Sequence, residues 1–219
     1  MTSSVRAPRP MVLAGAAVLL LALGLVALML VRPSSARQEA PPQGAARSAV
    51  PAETSVDVGF ARDMSIHHQQ AVEMSFIVRD RTSDEDVRRL AYDIINTQAN
   101  QRGMMLGWLD MWGRAKSSGR PPMEWMGHTV ASRGDGSLMP DMATDTELDA
   151  LRAAKGKDAE VRFLRLMTVH HRAGAEMAQA AADAAGTDEI RNLAAGMVLG
   201  QQSEIRLMAD MLKERGATA

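Results

Sequence analysis

Shifted by 103 residues, this 219-residue chain lies over itself without a gap. FARDMSIHHQQAVEM at 60–74 falls on FLRLMTVHHRAGAEM at 163–177, and the match runs on to Gly113 over Gly216. Of these 54 positions 15 are identical, among them Phe60, Met64, His67, His68, Met74, Arg88, Gln98 and Met105 with their partners. A repeat of this kind constrains the architecture more than any other feature. Each copy must fold as one unit and bury its apolar face against its twin.

Each copy reads as two helices. Phe60, Met64, His67, Ala71, Met74 and Val78 advance in steps of four and three, the seam of an amphipathic helix. Phe163, Met167, His170, Gly174, Met177 and Ala181 repeat it. Second helices follow through Val87, Leu90, Ile94, Gln98, Gln101, Met105 and Trp108, and through Ile190, Leu193, Met197, Gln201, Glu204, Met208 and Met211. RTSDED and AGTDE between them carry capping hydroxyls and first-turn acids, so the turns are short and the paired helices antiparallel. The expected fold is all-α: a four-helix bundle made of two duplicated hairpins, 57–113 and 160–216, with a non-helical connection over 114–157.

An uncharged stretch at 11–31, MVLAGAAVLLLALGLVALMLV, precedes this domain. Its 21 residues would span about 30 Å as a helix, the thickness of a bilayer core. It reads as a single-pass transmembrane anchor behind a short basic cytoplasmic tail, 1–10, with the rest of the chain outside the cytoplasm. Cleavage as a signal segment near Ser34-Ser35-Ala36, followed by secretion, is the alternative. Residues 32–56, rich in Pro, Ala and Ser, read as a flexible linker.

Composition closes several routes. Without cysteine there is no disulfide scaffold, zinc–thiolate site, iron–sulfur cluster or thiol nucleophile. With 25 basic against 26 acidic residues the chain lacks the cationic excess of a nucleic-acid binder. Neither a nucleophile elbow nor a phosphate loop is present. Methionine is abundant, 17 residues against 7 aromatics, which means adaptable core filler or soft metal ligands.

The seams bring polar residues inward. Levelling the helices about a turn at Thr82–Ser83 sets His67 beside Gln98 and His170 beside Gln201. If the hairpins pack by a pseudo-twofold, these four form an interior layer. Met64, Met167, Gln101 and Glu204 are expected to form a second layer beside it, with His68 and His171 at the seam edge. Buried polar groups require partners. Two readings follow: a hydrogen-bonded layer that sets packing register, or a metal centre in which imidazoles and thioethers hold copper, Cu(I) especially. Met74 and Met177 read as core, and Glu73 and Glu176 as solvated or bound to a neighbouring helix. In the connection, MEWMGH and MPDM supply Met123, Met126, His128, Met139 and Met142 as a possible secondary metal site, against plain docking of the loop through Trp125.

The duplicated HHQQAVEM and HHRAGAEM, each followed by a helix with Gln, then Gln or Glu, then Met, resemble the "domain of unknown function 305" family of exported bacterial proteins. The resemblance spans about residues 57–216. It implies a ferritin-like bundle and, as some members are copper-binding proteins, implicates Met64, His67, His68, Met74, Met167, His170, His171 and Met177 as metal ligands. This chain departs from the family at one point: the first copy has Gln101 where the second keeps Glu204.

The resulting expectation is a non-enzymatic, membrane-anchored copper-binding or copper-buffering protein. A helical interaction module with a structural polar core is the alternative. A di-iron oxidoreductase fits less well, since no Glu-x-x-His occurs and Glu204 is the only seam carboxylate. The anchor reading predicts recovery of the protein in the membrane fraction. A soluble mature form beginning near Arg37 would instead establish cleavage.

Overall fold

The structure, a computed structural model, describes residues 50–127 and 133–218. The expected tail, anchor and all but the end of the linker lie outside the described residues, and so does His128. Five α-helices follow in order: α1 (Val56–Arg79), α2 (Glu85–Met111), α3 (Asp145–Ala153), α4 (Gly156–Ala184) and α5 (Asp188–Glu214). A single 3-10 turn, Glu124–Met126, precedes α3. The described residues form no strand beyond an isolated bridge between Gly134 and Ser137. The all-α expectation therefore holds. No described helix is long and apolar enough to cross a membrane.

Duplicated residues build duplicated ends. Asp84 and Thr187, 103 positions apart, cap α2 and α5 by accepting from the backbone N–H of Val87 and Ile190. Arg88 and Arg191 reach back across each turn. Arg88 donates to the carbonyl of Arg79, and Arg191 to that of Ala185 at 2.6 Å. These bonds satisfy carbonyls that the ends of α1 and α4 leave free.

The hairpins α1–α2 and α4–α5 pack on each other mainly through α1 and α4. Two acids pin that contact, one at each end. Asp57, in the first turn of α1, accepts from the N–H of Gly186 (2.9 Å), the N–H of Thr187 (2.8 Å) and the Thr187 hydroxyl (2.7 Å). Its counterpart under the repeat, Glu160 in α4, accepts from the Thr82 hydroxyl and from Arg215 Nε at 2.7 Å. Each first helix thus holds the turn of the other hairpin, so α1 and α4 run antiparallel.

That arrangement divides the apolar interior in two. One core joins Phe60 and Met64 at the start of α1 to Met105 and Leu109, to Met177 and Ala181 at the end of α4, and to Ile190 and Met197. The other joins Ala71, Met74 and Val78 to Ile94, Phe163, Met167, Met208 and Leu212.

The connection is more structured than expected. Within 114–157 lies α3, whose Thr144 forms a capping box with Glu147, and α4 already begins at Gly156. The intervening loop is stitched to α1. Gln70 exchanges two hydrogen bonds with the backbone of Ala143 (2.8 and 2.7 Å), and Glu73 pairs with Arg152 of α3. The Trp125 indole N–H donates to Asp63 at 2.9 Å, and its ring stands edge-on to Phe60. The end of the expected linker also belongs to the domain. Pro51 is buried and its carbonyl accepts from Arg114, while Glu53 pairs with Arg62.

Asp57→Ala would strand two backbone N–H groups and a hydroxyl at the α4–α5 turn. The loss of unfolding free energy should be about 2–3 kcal/mol, measurable by urea denaturation.

Candidate metal centre

On α1, His67 stands between Met64 of the first core and Ala71 of the second. On α4, His170 stands between Met167 of the second core and Met177 of the first. The divide between the cores is therefore where the duplicated His-His pairs meet. Their four rings are 0–1% exposed. His67 and His170 stack across the helix contact, ring centroids 3.6 Å apart and planes 25° from parallel.

The outer rings are anchored. His68 Nε2 lies 2.8 Å from Gln101 Oε1, and His171 Nε2 lies 2.6 Å from Glu204 Oε2. The inner rings are not. Both nitrogens of His67 and both of His170 are buried with no hydrogen-bond partner. The same is true of Nδ1 on His68 and His171 and of the side-chain oxygens of Gln98 and Gln201. The expected hydrogen-bonded layer of His67, His170, Gln98 and Gln201 is thus buried but not bonded. Gly174 permits this closeness: a Cβ there would fall 2.5 Å from the Gln201 side-chain oxygen and 2.9 Å from His67 Cε1.

Three expectations need correction. Met64 and Met167 do not share a layer. Because α1 and α4 are antiparallel, the residues preceding each histidine run in opposite directions, and the two thioethers enter different cores. Gln101 and Glu204 accompany the outer histidines rather than these methionines. His68 and His171 are fully buried, not at an edge. Met74 lies in the second core and Met177 in the first, as core residues should. Among the connection residues Met123, Met139 and Met142 are buried in the first core and Met126 packs against it, which is the docking reading.

Sequence reasoning missed Asp57, Glu160, Asp63 and Gln70. The first two had a signal, since an acid occupies the same place in both copies, but a count of identities passes over an Asp matched to a Glu. The other two bond to groups distant in sequence, Asp63 to the Met123 N–H and the Trp125 indole and Gln70 to the backbone of Ala143, for which no local pattern exists.

Burial sets the charge of the cluster. His67 and His170 are held well below the ordinary histidine value of 6.5, chiefly by desolvation and then by repulsion from neighbouring rings. His68 is pushed down to about 3, mainly by burial, with the bond to Gln101 opposing. These imidazoles are accordingly neutral and keep a lone pair, the form in which histidine binds metal.

The donors fit a soft ion in kind: neutral imidazole nitrogens with no other partner, flanked by Met64 on one side and Met167 on the other. Among the described residues no three His, Asp or Glu side chains are gathered as a metal-holding group. Imidazole lone pairs lie in the ring plane, so two stacked rings do not aim at one point. Coordination by both requires at least one ring to turn.

The fold and this buried cluster define an internally duplicated helical protein with histidines at its centre. The chain belongs to the family described as domain of unknown function (DUF305), whose model matches residues 57–212. It is similar to a DUF305 protein of Streptomyces coelicolor whose secretion is inferred, at 59% identity and a TM-score of 0.71, covering 76% of this chain and 98% of that one. A DUF305 fragment from Deinococcus radiodurans is 30% identical with a TM-score of 0.60, covering 73% and 96%. CopM in its Cu(II)-bound form is 25% identical with a TM-score of 0.56, covering 73% and 97%. CopM has also been solved in Cu(I)-bound, silver-bound and apo forms. Curated proteins give no significant match.

Unfolded, each histidine takes up a proton near pH 6.5; folded, His68 does not until about 3. The folded state therefore binds fewer protons in that window, and stability is lost as pH falls through it. Each depressed histidine should contribute a slope of up to about 1.4 kcal/mol per pH unit. Denaturant titrations of the metal-free protein between those limits should show it, and His68→Gln should make the slope shallower.

Proposed function

We propose that this chain is an extracytoplasmic copper-binding protein, a ferritin-like four-helix bundle that buffers or sequesters copper, Cu(I) in particular, and catalyses no reaction. The observation that carries the reading is the set of unpaired imidazole nitrogens at the junction of the two repeats. Leaving a polar atom buried without a partner costs about 1–3 kcal/mol. Several at one place are poorly accounted for as a packing device, and a ligand that accepts their lone pairs removes the penalty. His67 and His170 would be the central ligands, with Met64, Met167 and the outer histidines completing the sphere after ring rotation. The fold shared with copper-bound CopM supports the same chemistry.

Location outside the cytoplasm is supported by the uncharged run at 11–31 and by the inferred secretion of the Streptomyces relative. In this reading the run is a single-pass anchor, and a cleaved, secreted form is the alternative. A structural polar core is favoured only at the outer rings, where His68 and His171 do have partners.

Copper supplied at a hundred times its Kd should stabilise the purified protein by about 2.7 kcal/mol. His67→Ala or His170→Ala should each abolish most of this gain, and the double variant should add little, since ligands of one ion are not additive. A melting temperature indifferent to both Cu(I) and Cu(II) would leave the cluster as a packing feature.

A further inference from the structure

We infer that the two halves of the duplicated centre are inequivalent: copper is taken on the second half, at His171 Nδ1, with Glu204 as the positioning residue for that ring. The inference rests on the copper reading above and adds which half of the site is used, and why.

The 103-residue shift pairs His68 with His171, Gln98 with Gln201, Ala71 with Gly174 and Gln101 with Glu204. The first two pairs are identical, and the last two differ. Both substitutions favour a cation on the second side, in three respects.

The first concerns the proton on the ring. A carboxylate only accepts hydrogen bonds, whereas a carboxamide offers an acceptor on one arm and a donor on the other. Glu204 Oε2, 2.6 Å from His171 Nε2, therefore keeps a proton on Nε2. Nδ1 is then the ring nitrogen left for a metal, and it is buried with no partner. Gln101 makes no such demand of His68, because turning its amide would suit the other tautomer equally well. A metal-bound imidazole whose second nitrogen donates to a carboxylate is also a more basic ligand, with a fixed ring orientation.

The second concerns charge and access. Burying a cation in a core needs a compensating negative group. Glu204 is the acidic side chain bonded to the cluster. It is 23% exposed while His171 is fully buried, so its carboxylate bridges solvent and ring. The first half presents a neutral amide at the equivalent place.

The third concerns space. At Gly174 the bare backbone lets the unpaired Gln201 oxygen and His67 close on α4, where a Cβ would stand 2.5 and 2.9 Å from them. The first half has Ala71 there. The second half thus combines the bare backbone of Gly174, the unpaired oxygen of Gln201 and the Glu204 carboxylate bonded to His171.

The test uses the full-length protein in detergent, Cu(I) delivered anaerobically against a chromogenic chelator, and long-range nitrogen–proton spectra of the imidazoles in the metal-free state. Wild-type His171 should appear as a single Nε2–H tautomer. Glu204→Gln should mix the tautomers and weaken Cu(I) binding about ten- to a hundredfold. The swap E204Q/Q101E should restore most of the affinity and transfer the single tautomer to His68. His171→Ala should cost more affinity than His68→Ala, a comparison that stands even if E204Q fails to fold. A wild type that takes up no Cu(I) would overturn the copper reading and this inference with it. A wild type that binds, with E204Q unchanged in affinity or with equal losses at His68 and His171, would overturn the inference alone.

Discussion

The antiparallel contact of α1 with α4 is the constraint from which the rest of the domain follows. It places the start of each first helix at the turn of the opposite hairpin, where Asp57 and Glu160 find their partners. It separates the apolar interior into two cores that each draw on all four long helices. At their junction the seam residue of each helix is a histidine, and the rings of His67 and His170 stack on each other.

That junction holds an energetic conflict. Stacking satisfies the ring faces and leaves the nitrogens without partners. Each such atom opposes folding, because it gave up hydrogen bonds to water and found none inside. The two cores and the acid pins must offset this cost in the metal-free protein. Such a conflict, concentrated at one level of the domain, is what a binding site looks like before its ligand is counted. The same burial that strands the nitrogens keeps the rings neutral, so the group most costly to folding is also the one best prepared to donate a lone pair.

The duplication supplies the geometry, and its imperfections supply the direction. Identity at the histidines, Gln98 and Gln201 gives two half-sites of one design. The exchange of Gln101 for Glu204 places the carboxylate contact on one histidine and leaves the other with an amide. A symmetric pair would share a cation without preference, whereas the acid in this pair gives it a preferred side.

The duplication, the four long helices, their pairing into hairpins and the convergence of His67 with His170 were legible from spacing alone, because periodicity and repeat register are local properties of a chain. The extra helix α3 was not, since nine residues amid turn-forming neighbours carry too short a period to stand out. The docking of Met123, Met139 and Met142 depends on a core to which α1, α2, α4 and α5 all contribute. What only the tertiary structure decided is the sense of the α1–α4 contact and its consequences. Running the two helices in opposite directions sends Met64 and Met167 to opposite cores and buries His68 and His171 against Gln101 and Glu204. The inner nitrogens also lack the glutamine bonds expected from level matching. Sequence periodicity determines which face of a helix turns inward, but whether two inward polar groups meet at bonding distance depends on side-chain directions across the helix contact, which periodicity does not record.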